Sequence, residues 1–194
     1  SANAAPESLP TLVFREDWQE IPEALPVSPG HVANPDLVLG LHGPGRDGIK
    51  KSNHPKIPND PYYIWSGMCA GNWAVSLKHR AVYVDLTGRA KIRWRSQQAG
   101  FRQLRIILRL ADGTWLVGDA CDGPAADWRE REFVIADIRW RRLNIETVIE
   151  GAWARDPDLS RVDEIGFTDL MPGGGSPACS RLDWIEVWGK AVPR

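Results

Sequence analysis

Hydrophobic positions along this chain recur mostly at every second residue, in short runs broken by turn residues. Successive strand side chains point to opposite faces, so a period of two predicts strands with one apolar and one polar face. The clearest case lies between Arg89 and Leu110. Ala90, Ile92 and Trp94 alternate with Lys91, Arg93 and Arg95. Leu104, Ile106 and Leu108 alternate with Gln103, Arg105 and Arg109, and Ile107 breaks the polar series. The spacing predicts two strands joined by a short turn around Gln97–Gly100, a basic hairpin that carries no acid.

The same pattern predicts strands at Thr11–Phe14, Asp36–Leu41, Asn72–Lys78, Ala81–Leu86, Thr114–Gly118, Trp128–Ala136, Val162–Thr168 and Arg181–Trp188. Leu143–Ile149 fits a strand or a short helix. Asp112-Gly113 signals a tight hairpin. In the closing strand Leu182, Trp184, Glu186 and Trp188 are expected to share a face. Ile21–Pro35, Glu150–Pro157 and the glycine-rich Asp169–Ser180 are expected as loops. His42–Pro61, about twenty residues dense in Gly, Pro, Asn, Asp and Lys, predicts a long polar loop of a length usually tied to function. About eleven or twelve short strands without a long amphipathic helix predict an all-β fold, an antiparallel β-sandwich of jelly-roll type. Residues 1–10 are expected as a flexible N-terminal segment and 11–194 as a single domain.

Composition narrows this picture. A chain of 194 residues can bury a substantial core as one domain. Its net charge of −1 means the basic hairpin is balanced elsewhere, which argues against a general nucleic-acid binder. Ten tryptophans against two methionines suit a β core and also supply stacking platforms for sugars. No apolar run approaches the roughly 20 residues that span a bilayer. Cys69, Cys121 and Cys179 form no CxxC pair and no zinc spacing. They fit one disulfide plus a free thiol, or three buried thiols. The opening SANAAPESLP looks like the small-residue segment left when a signal peptide is removed, and predicts a secreted or periplasmic protein.

The series DLTGRAKIRWR, LRIILRLADGTWLVG, DLSRVDEIGFTDL and SRLDWIEVWGK resembles the galactose-binding-like jelly rolls of bacterial carbohydrate-active proteins. The resemblance covers Val82 to Lys190. It implies that fold, a carbohydrate partner, a ligand on the concave sheet face, and a structural calcium between the first and last strands.

Four sets of residues are candidates for chemistry. The first is the basic face, where Arg93, Arg95 and Arg105, with Lys91 and Arg109, could line a groove for an acidic or oxidised sugar, since guanidinium forks fit carboxylates and vicinal hydroxyls. The same cations could instead pair with acids such as Glu130 and Glu132. The second is aromatic: Tyr62, Tyr63, Trp65 and Trp73, with Trp115 and Trp128 beyond, could pack on the C–H faces of sugar rings. The third is the polar loop, including His42, where His54 and Asp60 could form a general acid–base pair and Tyr63 could move a proton. The fourth is the acids Asp163, Glu164, Asp169, Asp183 and Glu186, which could hold calcium or neutralise the basic face. These sets point to a secreted carbohydrate-binding sandwich. The alternative is a glycoside hydrolase or polysaccharide lyase on the same scaffold.

Overall fold

The computed structural model describes residues 8–170 and 178–194. Most of the expected flexible N-terminal segment and of the glycine-rich loop lies outside the described residues. Fourteen strands are present among the described residues: β1 (Thr11–Glu16), β2 (Leu37–His42), β3 (Lys50–Ser52), β4 (Tyr63–Trp65), β5 (Trp73–His79), β6 (Val82–Asp85), β7 (Lys91–Gln98), β8 (Arg105–Leu110), β9 (Trp115–Gly118), β10 (Arg129–Val134), β11 (Trp140–Asn144), β12 (Ile149–Trp153), β13 (Val162–Asp169) and β14 (Ser180–Pro193). Every pairing is antiparallel.

They form two layers. In the first, β7 lies between β10 and β14, and β14 carries β1 and β4 on its other side, with β3 beyond β4. In the second, the order is β2-β5-β13-β8-β9-β11-β12. The layers join where the end of β14 leaves β7 and pairs with β6, which bridges to β13 at Val84↔Val162.

Alternation explains the core between them. Ile92, Trp94, Ile185 and Val187 point inward from the first sheet; Val75, Leu77, Ile106, Leu108, Ile165 and Phe167 meet them from the second. Trp94 is fully buried, 4.8 Å from Phe133 and 6.5 Å from Phe167 between ring centroids. Its Nε1 donates to Asp122 Oδ2 at 2.8 Å, which satisfies the one polar atom that burial would otherwise strand.

Three expectations are corrected by this topology. The basic segment is not a hairpin, because β7 pairs with β10 and β14 in one layer and β8 pairs with β13 and β9 in the other. The chain between them crosses the sandwich, so Arg93 and Arg95 face out on one side of the molecule while Arg105 and Arg109 face out on the other. Leu182 does not share a face with Trp184, since the register shifts between Leu182 and Trp184. That bulge turns Leu182 into the core and leaves Trp184, Glu186 and Trp188 outside. The stretch Leu143–Ile149 is neither strand nor helix throughout. It is the turn of the β11–β12 hairpin, and Asn144 caps it by accepting the Glu146 and Thr147 N–H groups at 3.0 and 3.2 Å.

Ile107 has a purpose in this arrangement. It packs on the outer side of the second sheet with Ala74, Val117, Leu143 and Val148, under the β11–β12 turn. Val148 sits there fully buried at φ 54°, an unusual backbone for a β-branched residue. Asn72 Nδ2 pins its carbonyl at 2.9 Å. Gly43, at φ 90°, lies against Val148 and the Asn72 carbonyl where a Cβ would collide with both. The turn is thereby clamped across the sheet as one wall of the outer face.

Candidate functional site

The outer face of the first sheet carries Lys91, Arg93 and Arg95 down β7, and each meets a carboxylate from an adjacent strand. Lys91 reaches Glu132 at 3.1 Å, Arg93 reaches Glu186 at 3.1 Å and Glu130 at 3.4 Å, and Arg95 reaches Asp183 at 2.7 Å. Arg15 takes the second oxygen of Glu186 at 2.7 Å. Indoles alternate with these cations: Trp184 lies 4.2 Å from Arg15 and 5.7 Å from Arg93, Trp128 5.2 Å from Arg95, and Trp188 5.1 Å from Lys91. Burial would push Glu186 up, but hydrogen bonds from Arg15 and Trp188 and the charges of Arg15 and Arg93 hold it below the ordinary carboxylate value. Burial pushes Asp183 up against the pull of Arg95. The face is a self-neutralised ladder of cations, indoles and acids.

The other expected site residues are dispersed. Arg105 lies on the second sheet, donating from Nε to the Gly118 carbonyl at 2.8 Å and pairing with Glu150 at 3.0 Å. Trp73 is 2 % exposed and meets Phe167 edge-on at 6.0 Å, so it belongs to the core and offers no face to a ligand. Tyr63 is buried against Trp128 at 5.4 Å. Tyr62 and Trp65 are half-buried, with Lys51 Nζ 4.0 Å above the first and Lys50 Nζ 5.7 Å above the second. Lys51 is itself buried, donates to the Ile21 carbonyl, and has its pKa lowered by that burial. Asp60 accepts the backbone N–H of exposed His54 at 2.5 Å, which closes their loop. The five acids named for calcium are spread over both sheets. Asp163 and Glu164 meet Arg109, Asp169 meets Arg102, and Asp183 and Glu186 belong to the ladder. Among the described residues no group of three or more His, Cys, Asp or Glu is placed to hold a metal ion. The three thiols are free, Cys69 and Cys179 buried and Cys121 exposed.

One member of each of the four candidate sets converges on the outer face of the second sheet. Register brings Gly40, Ser76, Gly166 and Ile107 into one cross-strand row, and Lys78, Glu164, Arg109 and Trp115 into the next. The His42 ring leans over Gly40, where a side chain would meet it, and its Nε2 lies 2.8 Å from Ser76 Oγ. Ser76 donates its only hydroxyl proton to Glu164 Oε1 at 2.8 Å, and Glu164 Oε2 accepts from Arg109 Nη1 at 3.3 Å. The serine must then accept from His42, so Nε2 carries the proton and Nδ1 is left as an acceptor. No described residue bonds to that Nδ1. Burial lowers the His42 pKa, with Glu164 opposing and Arg109 adding to the shift, which keeps the ring neutral.

Trp115 stands beside this chain. Its ring is half-buried, 5.0 Å from the His42 ring at 64° and 5.9 Å from the Arg109 guanidinium. On its other flank a groove of about 700 Å³ opens between Gly113–Trp115 and the β11–β12 hairpin, lined among others by Asn144, Thr147 and Glu150. An indole plane with a hydrogen-bond acceptor, a guanidinium and a groove around it can take a flat, hydroxyl-rich ring.

No protein-family model and no curated protein sequence matches the chain. Solved structures do. The family 11 carbohydrate-binding module of the cellulosomal cellulase Lic26A-Cel5E of Clostridium thermocellum aligns with a TM-score of 0.50 and 13% identity, over 93% of this chain and 95% of that one. The fold is an antiparallel β-sandwich of jelly-roll type, like that of this module. A family 11 module from the same organism, in complex with a β-1,3-1,4-mixed-linked tetrasaccharide, aligns at 0.50 with 15% identity, over 86% of this jelly roll and 95% of that one. The likeness is one of fold, and the expected fold class stands. No helix among the described residues is long and apolar enough to cross a membrane.

Ser76, Gly40 and Val148 escaped the sequence reading. Each is ordinary in its own strand or turn, and only strand register puts Ser76 between His42 and Glu164. The one local signal was Ile107, an apolar residue on an otherwise polar face.

Proposed function

We propose that the protein is a carbohydrate-binding β-sandwich that takes a saccharide on the outer face of its second sheet, with a sugar ring packed on Trp115. The observation that carries this reading is the half-buried Trp115 ring, flanked by the His42 Nδ1 acceptor and the Arg109 guanidinium and opening onto a groove. Sugar C–H faces pack on an indole while their hydroxyls reach the polar neighbours. The fold shared with carbohydrate-binding modules supports the same ligand class. The first sheet serves as scaffold in this reading.

Calorimetric titration with a panel of neutral and acidic oligosaccharides tests it. Binding of at least one glycan, weakened in Trp115→Ala and retained in Trp188→Ala on the opposite sheet, is the expected result. A folded protein that binds no glycan, or whose binding ignores Trp115, overturns it.

A further inference from the structure

Within the sequence cluster Arg139-Trp140-Arg141-Arg142, Arg142 lines the larger groove and also marks a second concavity. A groove of about 330 Å³ lies at the end of the sandwich, between the β8–β9 turn and the loop after β12. Leu110, Leu116 and Ala154 supply apolar lining, and Arg142, Arg155 and Arg161 stand around it. It adjoins the larger groove, since Thr114 and Arg142 line both.

The charges here differ from those on the first sheet. Arg15, Lys91, Arg93 and Arg95 each hold a carboxylate. Arg142, Arg155 and Arg161 form no ion pair among the described residues. Two acids share the rim, and each is held by its own turn: Asp112 accepts the Thr114 N–H at 2.9 Å, and Asp158 accepts the Ser160 N–H at 3.0 Å and hydroxyl at 2.6 Å. Those hydrogen bonds lower both acids below the ordinary range, so both are ionised and keep oxygens free to accept.

Three guanidiniums against two carboxylates leave one positive charge in excess at this groove. That balance does not suit a polyphosphate, whose repeated charges call for an unbroken basic field. It suits a ring that carries one carboxylate among several hydroxyls. The guanidiniums fork the carboxylate and the aspartates accept hydroxyl protons.

We infer that the saccharide is acidic and that Arg142, Arg155 and Arg161 hold the carboxylate of a uronate residue in this groove, next to the ring stacked on Trp115. The inference rests on the carbohydrate-binding reading and names its ligand class.

The test is calorimetry with short homo-oligomers of galacturonate, glucuronate and mannuronate, each paired with the same oligomer after its carboxyls are reduced to alcohols. One uronate should bind roughly tenfold or more tightly than its reduced partner, the scale of a lost charge-assisted contact. The double variant Arg155→Gln/Arg161→Gln, both exposed positions, should erase that preference. Equal affinity for the acidic and reduced members of every pair overturns the inference and leaves the carbohydrate reading standing, as does a preference that survives the double variant. Inorganic sulfate that displaces the uronate at equal concentration also overturns it, the groove then being a bare anion site. Failure of every oligomer to bind overturns the inference, and the carbohydrate reading is then decided by the wider glycan panel.

Discussion

The His42 imidazole meets the Trp115 indole edge-on, with ring centroids 5.0 Å apart, while its Nε2 is anchored to Ser76 at 2.8 Å. The histidine therefore braces the indole and keeps Nδ1 beside it. Trp115→Ala removes the platform and should weaken glycan binding about thirtyfold, near 2 kcal/mol, the cost of a central aromatic anchor. Trp115→Phe should retain most of the affinity. Isothermal titration measures both, with near-UV circular dichroism as the check on folding.

His42 also ties the site to pH. Its folded-state pKa lies below the ordinary 6.5 because of burial, so the unfolded chain takes up the proton first as pH falls. The stability contributed by the neutral ring is present above that ordinary value and is lost as pH falls below it toward the folded-state pKa. Between about pH 7.5 and 5 the wild type should lose more stability than His42→Gln in urea titrations. Glycan affinity should fall only at lower pH, where the folded ring itself takes up the proton and the Nδ1 acceptor is lost. A stability difference between the two proteins that does not change with pH contradicts the assignment.

Glu186 is the junction of the first sheet, bonded to Arg15 at 2.7 Å, to Arg93 at 3.1 Å and to the Trp188 indole at 3.2 Å. Glu186→Gln leaves Arg15 with Asp17 and Arg93 with Glu130 and Glu132, and removes the carboxylate the two guanidiniums share. A loss of about 2 kcal/mol is expected, below the cost for a fully buried pair because both arginines are partly solvated. The depressed Glu186 pKa means this stabilisation is present above the ordinary value of 4.5 and is lost as pH falls through and below it. Glycan affinity should not change. Denaturant unfolding and a single titration decide both points.

Val148 combines full burial with a left-handed backbone at φ 54°. Val148→Ala loses packing under the turn and should cost about 2 kcal/mol. Val148→Gly loses the same packing but relaxes the backbone, so it should be more stable than the alanine variant by about 1 kcal/mol. Glycine below alanine in the usual order would show that the turn does not hold the left-handed conformation.

The thiols should differ in reactivity. Burial pushes the Cys69 thiol up to about 12, Cys179 is also buried, and Cys121 alone is exposed. A thiol-specific disulfide reagent should label Cys121 in the native protein and reach the other two only on unfolding. Cys121 should react more slowly than a free thiol, because partial burial raises its pKa as well.

Strand by strand, much of this molecule was legible. Ile92 and Trp94 face in and Arg93 and Arg95 face out because a pleated backbone alternates its side chains whatever its neighbours are. The pairing of the basic face with acids such as Glu130 and Glu132 was legible too, as one of two open readings. Arg105 was misplaced for a definite reason. A segment that crosses from one sheet to the other reads in sequence much like the turn of a hairpin. The site was hidden for the same cause, since Ser76 and Glu164 lie 88 residues apart and neither is unusual in its own strand.

By itself, then, the sequence determined the all-β class, the direction of most side chains within each strand, and the residue types available for chemistry. The tertiary structure alone decided which strands are partners, and with them that Arg93 and Arg105 occupy opposite sides and that His42, Ser76, Glu164, Arg109 and Trp115 meet. Side-chain direction within a strand follows from local backbone sterics. Strand partnership follows from closing one core around Trp94 and Phe167, a free energy summed over residues far apart in the chain.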